Sequence, residues 1–458
     1  MRIKKLLLFF FLCNQFLLVA QEEINIEEII SKLTLSEKVA MCHAQSKFTS
    51  PGVPRMGIPE LYMSDGPHGI RPEINWDDWG YANWTNDYVT AFPALTCLAA
   101  TFNPNLSYEY GLNLGEEARY RNKDILLGPG VNIYRTPLNG RNFEYMGEDP
   151  FLASTIVVPY IKGVQENGVA ACVKHYALNN QELWRGHIDV KVSDRALHEI
   201  YLPAFKASVE KGNAWAIMGA YNKFRGQHCS HNDLLLNKIL KKMWDFDGVV
   251  ISDWGGVHDS NEAINNGLDI EMGTPSDKSI SKRYPYNNNF LGKSFEKKII
   301  EGEVEEAILD DKVRRILRLM KRTSLNKNRP FGNINSKKHY ETAYKIASEG
   351  IVLLKNDNDF LPIDKNKKIT IAVIGENAKK RMTLGGGSSE LKAHKEISPL
   401  EGIKKEFNNA IVKYSRGYSS NANKNTDDLK KQALLLAKDA DVIFFIGGLN
   451  KDSFQDSE

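Results

Sequence analysis

Short apolar runs alternate with apolar stripes at helical spacing along most of the chain. Val169 to Val173, Ala216 to Ala220 and Gly248 to Ile251 read as buried strands. Between the last two, Leu235, Leu236, Ile239, Leu240 and Met243 recur at helical spacing, and Ala196, Ile200, Tyr201, Ala204, Phe205 and Val209 form another stripe. Strands alternating with helices predict a parallel sheet, and this many over roughly 300 residues predict a (β/α)8, TIM-like barrel. Val304, Ile308, Val313, Ile316, Leu317 and Met320 mark its closing helix. The periodicity then lapses, which predicts a linker over residues 324–340. A second α/β pattern follows, with strands at Ile351–Leu354, Ile369–Ile374 and Val442–Ile446 and a helix at Asp427–Lys438. The expected organisation is a catalytic barrel over 21–323, the linker, and an α/β sandwich domain over 341–458. The second domain reads as incomplete, because no closing element follows its last strand.

The first 20 residues have a different pattern. Arg2, Lys4 and Lys5 precede an apolar stretch from Leu6 to Ala20, and Glu22 and Glu23 follow. A basic segment before a short apolar one predicts a signal peptide ending near Ala20, and hence a secreted or periplasmic protein with no membrane span after cleavage.

Composition narrows the function classes. Lys+Arg 60 against Asp+Glu 57 gives a net charge of +3, too balanced for a nucleic-acid binder. Beyond the leader, Cys42, Cys97, Cys172 and Cys229 lie far apart without a CxxC, so no zinc site or dense disulfide frame is predicted; one disulfide fits an oxidising compartment, and the sequence does not pair them. Gly385-Gly386-Gly387-Ser388-Ser389-Glu390 lacks the spacing of a phosphate-binding loop.

In parallel α/β barrels the chemistry sits where strands end, so polar residues directly after apolar runs carry most information. The run GVVISDWGG places Ser252 and Asp253 at a strand end beside Trp254; the alternative role for Asp253 is a helix cap. The adjacent ring favours a sugar site, with Asp253 as candidate nucleophile. Lys174 and His175 follow another strand, with Arg185 downstream, and together they supply donors for hydroxyl groups. Asp65 and Arg71 flank a Gly-Pro turn. Arg141, Asn142, Glu144, Glu148 and Asp149 share one loop that also fits a structural ion-pair network. Trp76, Trp79, Tyr81 and Trp84 interleave with a polar loop, a pattern suited to stacking on sugar faces.

In order, SDGPHGIR, GRNFEYMGEDP, KHYALNNQE, MGAYNK, FDGVVISDWGG, GLDIEM and EGIVLLKN resemble glycoside hydrolase family 3, in its β-glucosidase and β-xylosidase branch. The chain lacks the Lys-His-Phe-Pro-Gly-His-like loop of the N-acetylhexosaminidase branch, having Lys174-His175-Tyr176-Ala177-Leu178 instead. The resemblance implies a barrel-like domain paired with an α/β sandwich, with the active site between them. It implies Asp253 as nucleophile and Asp65, Arg71, Arg141, Lys174, His175, Arg185 and Tyr221 as substrate-binding residues. Trp254 is the ring beside the nucleophile. Ser388 or Ser389 reaches the sugar from the second domain, and Glu458, in QDSE, matches the acid/base. The implied activity is exo-acting, retaining β-glycoside hydrolysis without metal or cofactor, releasing terminal β-D-glucose from an oligosaccharide or glycoside. A β-xylosidase and a non-catalytic sugar-binding fragment are the alternatives.

Overall fold

The computed structural model describes residues 24–273, 288–421 and 425–448. The leader and Glu458 both lie outside the described residues. Six strands hydrogen-bond in the order β1 (Thr49–Ser50), β2 (Leu61–Asp65), β3 (Ile125–Leu127), β4 (Ala170–Tyr176), β6 (Ala216–Gly219) and β9 (Val249–Ile251). The intervening β5 (Asp189–Val190), β7 (Lys223–Phe224) and β8 (Gln227–His228) form a separate small ribbon. From β2 to β9 every pairing in the main sheet is parallel, with crossover helices between successive strands. The sheet curls onward past β9: Ser252 N–H donates to Ile270 O at 2.9 Å, and Ala44 N–H donates to Glu271 O at 2.9 Å.

The barrel-like domain departs from a regular eightfold pattern at its start, where β1 runs antiparallel to β2. The connection 51–60 holds only the turn Pro54–Met56, too short for the crossover helix that a parallel pair requires.

Local chemistry explains the helices that brace the sheet. Asn103 and Asp149 cap the helices Pro104–Tyr120 and Pro150–Glu166, each with proline in its first turn. The two helices pack backbone to backbone: a Cβ on Gly111 would lie 2.1 Å from Tyr160 O, and one on Gly163 would lie 2.4 Å from Tyr108 O. The predicted closing helix spans Glu306–Arg322 and buries Leu309, Val313, Ile316, Leu317 and Met320. Its exposed-side arginines hold the turn that enters β9. Arg315 donates to Phe246 O at 2.8 Å, Arg318 donates to Asp247 O at 2.6 Å, and Arg322 pairs with the Asp247 carboxylate at 2.7 Å.

The second unit has a three-stranded parallel sheet, β11–β10–β12, with β10 (Thr370–Ile374) between β11 (Ile411–Ser415) and β12 (Val442–Phe445). The helix Asp427–Lys438 lies where the sequence pattern put it. Two expectations are corrected. Ile351–Leu354 form no strand and are exposed, from 63% at Val352 and Leu353 to 91% at Leu354. The expected linker is not a free tether: Arg329 forms a buried pair with Asp124 at 2.7 Å, and a helix already starts at Lys337. That helix, Lys337–Gly350, belongs to the barrel-like unit, because Ile346 joins its core and Thr342 accepts a hydrogen bond from Asn113 at 2.8 Å. The four cysteines named above are free thiols.

Candidate active site

Strand ends build the pocket. β2 ends on Asp65, β4 carries Lys174 and His175 near its end, β6 carries Met218, and β9 leads directly into Ser252 and Asp253. A cavity of about 340 Å³ opens there, lined by Asp65, Arg71, Arg141, Lys174, His175, Arg185, Tyr221, Asp253, Trp254 and Ser388; of the rings expected to stack on a sugar, Trp76, Tyr81 and Trp84 do not line it. Its volume is in the range of small-molecule sites. Ser389 does not line it; its hydroxyl turns back to Gly386 O at 2.8 Å.

Backbone geometry fixes the turn after Asp65. Gly66 has φ +138°, and a Cβ there would lie 1.9 Å from Gly69 O, so only glycine fits. The turn brings Arg71 back over β2, where its guanidinium pairs with Asp65 at 2.9 Å and its N–H donates to Asp65 O at 3.1 Å.

Asp253 is held just as closely. Trp254 N–H donates to Asp253 Oδ1 at 2.8 Å, and Asp253 Oδ2 lies 3.7 Å from His175 Nε2. Ser252 Oγ accepts from Met272 N–H at 2.8 Å, tying the end of β9 to the neighbouring segment. The Trp254 indole donates to Lys47 O at 2.7 Å, and Tyr221 OH donates to Trp254 O at 3.0 Å. The motif SDW therefore fixes a carboxylate and a ring through its own backbone and its neighbours, and Asp253 caps no helix.

A buried charge network reaches the cavity through Arg141 and Lys174. Glu144 accepts from Arg141 Nε at 2.7 Å and pairs with Lys174 at 3.1 Å. Arg141 Nη2 reaches His175 Nε2 at 3.2 Å and donates to Ser388 Oγ at 3.0 Å. Burial, followed by the charges of Arg141, Lys174 and Arg185, holds His175 well below the ordinary histidine range. It is therefore neutral. With a guanidinium donating to Nε2, the ring proton sits on Nδ1, facing the Tyr145 hydroxyl at 3.2 Å. The imidazole thus orients groups rather than adding charge beside Asp253.

The structure separates the members of the LNGRNFEYMGEDP loop. Arg141 lines the cavity and Glu144 lies buried behind it, whereas Asp149 caps a helix and Glu148 is exposed. Of the aromatic loop, Trp79 lines the cavity, with Phe48 edge-on at 6.0 Å and the Arg71 guanidinium 5.4 Å from its ring centre. Sequence reasoning missed Met218, which reads as ordinary strand, and Glu182, which pairs with Arg185. An acid three residues before that arginine in the same loop was the available signal. Among the described residues no group of His, Cys, Asp and Glu could hold a metal ion, and no helix is long and apolar enough to cross a membrane.

Residues 61–319 match the glycosyl hydrolase family 3 N-terminal domain and residues 351–458 match the family 3 C-terminal domain. The chain belongs to glycosyl hydrolase family 3. Among curated family 3 relatives, Beta-glucosidase BoGH3A of Bacteroides ovatus is 58% identical over 452 residues, covering 95% of this chain and 60% of that protein. Thermostable beta-glucosidase B of Acetivibrio thermocellus is 38% identical over 428 residues, covering 93% and 54%. The chain therefore spans little more than half the length of these relatives. Among solved structures, beta-glucosidase 3B from Thermotoga neapolitana in complex with glucose aligns with a TM-score of 0.76 at 35% identity, covering 90% of this chain and 56% of that one. The Bifidobacterium adolescentis GH3 beta-glucosidase gives 0.79 at 33%, covering 91% and 57%. This family 3 fold is a barrel-like domain followed by an α/β domain.

Proposed function

We propose that the chain is a retaining, exo-acting β-glucosidase that removes the terminal non-reducing β-D-glucose of an oligosaccharide or glycoside. The observation that carries this reading is Asp253: a carboxylate fixed at the end of β9, lining the cavity beside the Trp254 ring. The beta-glucosidase relatives, and the glucose complex of one of them, support glucose as the sugar.

In the first step an Asp253 oxygen attacks the anomeric carbon. The bond from that carbon to the departing oxygen breaks, and the departing oxygen takes a proton. Glu458 is the residue assigned to supply it, on the match of QDSE to the family pattern. In the second step the same residue takes a proton from water as that water displaces Asp253 from the sugar. Asp65 accepts from outer hydroxyls of the sugar, while Arg71, Lys174 and Arg185 donate to it through charge-assisted bonds. The neutral His175 can orient a hydroxyl without competing for the charge on Asp253. No step in this reading calls for a metal or organic cofactor. Export is part of the proposal, resting on the basic-then-apolar pattern of residues 1–20.

The deciding experiment is trapping with an activated 2-fluoro β-glucoside, followed by intact mass and peptide mapping. That reagent needs a nucleophile and little acid assistance. One adduct on Asp253 is expected, and a chain recovered from outside the cytoplasm should begin near Gln21. A folded protein that forms no adduct with glucosyl or xylosyl reagents would overturn the hydrolase reading.

A further inference from the structure

The loop 73–90 joins two parts of the molecule that the pocket needs together. Both of its ends are fastened to the barrel-like unit. Glu73 pairs with Arg121 at 2.5 Å and Lys123 at 2.7 Å, and Thr90 N–H donates to Glu117 at 3.0 Å. Between these anchors the loop reaches the second unit. Val89 N–H donates to Lys392 O at 2.9 Å, and His394 N–H donates to Val89 O at 2.8 Å, forming one rung of parallel ladder between the units. The Lys392 ammonium closes the contact. It donates to the buried Asp87 carboxylate and to Trp84 O, both at 2.9 Å, and lies 4.1 Å from the centre of the Tyr88 ring.

The segment held this way leads straight from the pocket. Ser388 lines the cavity and accepts from Arg141, and four residues later the chain is fastened at Lys392. Between them Leu391 is fully buried in the core of the barrel-like unit, not in that of its own unit. Asp87 is itself fixed, since its Oδ2 accepts from Glu73 N–H at 3.2 Å and its backbone oxygen accepts from Arg121 at 3.2 Å.

We propose that Asp87 and Lys392 are positioning residues: their clasp sets the depth of the Gly-rich loop of the second unit, and so places Ser388 against the terminal sugar. The inference rests on the β-glucosidase reading for its sugar. Neither residue touches the cavity, so their effect passes through Ser388. The clasp governs sugar affinity more than the chemical step.

The test compares Lys392→Met, Lys392→Arg, Asp87→Asn and Ser388→Ala, together with Ser388→Ala/Lys392→Met, in the full chain. The readouts are kcat and KM for an aryl β-glucoside, inhibition by glucose, and amide exchange over residues 387–394. Lys392→Met and Asp87→Asn should raise KM and weaken glucose inhibition about tenfold, a change of about 1.4 kcal/mol, with kcat within threefold. Lys392→Arg should restore most of the loss. In the Ser388→Ala background Lys392→Met should add less than twofold, because the group it places is gone. Exchange should speed up at 387–394 but not at Val249–Ile251.

Unchanged glucose inhibition in Lys392→Met, or an equal loss with and without Ser388, overturns the proposal. Unchanged exchange at 387–394 overturns it too. A wild-type chain that neither turns over nor binds glucose removes the β-glucosidase reading instead, and the exchange arm still decides whether the clasp holds the loop.

Discussion

Single side chains in the pocket differ in how plainly they could be read. Asp253, Lys174 and His175 follow apolar runs, so the strand-end rule alone exposes them. Ser388 could not be found that way. It comes from the other unit, and only a tertiary contact brings it to Arg141. Met218 is chemically indistinguishable from core until the cavity is seen. Trp79 was legible as a ring in a polar loop, and its position at the pocket wall gives it a specific task. It belongs to an aromatic wall, Trp79–Phe48–Trp254, with ring centres 6.0 and 5.3 Å apart. On the proposed β-glucosidase reading, we infer that a group attached to the departing oxygen meets Trp79 in this wall. Trp79→Ala should therefore lower kcat/KM for cellobiose about tenfold, on the order of 1.4 kcal/mol. Hydrolysis of methyl β-glucoside should change by less than about threefold. Equal losses on both substrates would place Trp79 in the terminal-sugar site instead.

At the scale of elements, the pattern found β4, β6 and β9 but not β2, whose end carries Asp65, or β3, and it misread the stretch that joins the two units. Ile351 and Val352 are β-branched and Leu353 and Leu354 are apolar, which locally reads as a buried strand, but a strand also needs a neighbour, and no described strand pairs with this segment. The first four residues of the helix Lys337–Gly350 read as linker and the rest as second domain, because the contacts that tie it to the barrel-like unit are long-range. His339 is buried with Nδ1 2.9 Å from Glu117 and Nε2 2.9 Å from Glu116, both on the helix Pro104–Tyr120. Burial opposes its charge, but the hydrogen bonds and charges of Glu117 and Glu116 outweigh that and hold it above the ordinary histidine value of 6.5. A raised folded value means the stabilisation is complete below pH 6.5 and fades as pH rises through the folded value. His339→Gln should therefore cost about 1–3 kcal/mol at pH 6, and the gap to wild type in chemical denaturation should narrow steadily toward pH 9. A gap independent of pH would show that His339 acts through packing alone.

Across the whole molecule, apolar surface is unevenly spread. The second unit exposes Leu434 by 56%, Leu435 by 64% and Phe445 by 66%, alongside Ile351–Leu354. Exposed apolar side chains favour association where they adjoin. Leu434→Lys with Leu435→Lys should raise the solubility of the 458-residue chain and reduce its binding of a hydrophobic dye. Inhibition by glucose should not change, because neither leucine lines the cavity. If solubility and dye binding stay at wild-type levels, the exposed leucines are not what drives association.

The burial of Leu391 in the core of the barrel-like unit also orders events during synthesis. Domains fold largely as units, the N-terminal one first. The barrel-like unit can gather its strands while the ribosome is still making the second unit, but one position in its core stays unfilled until residue 391 has emerged. A sugar-binding wall then arrives together with the last side chain of a core made much earlier. A chain stalled before that point would hold Asp253 in place without Ser388 opposite it, so a competent pocket reports that translation has passed Leu391.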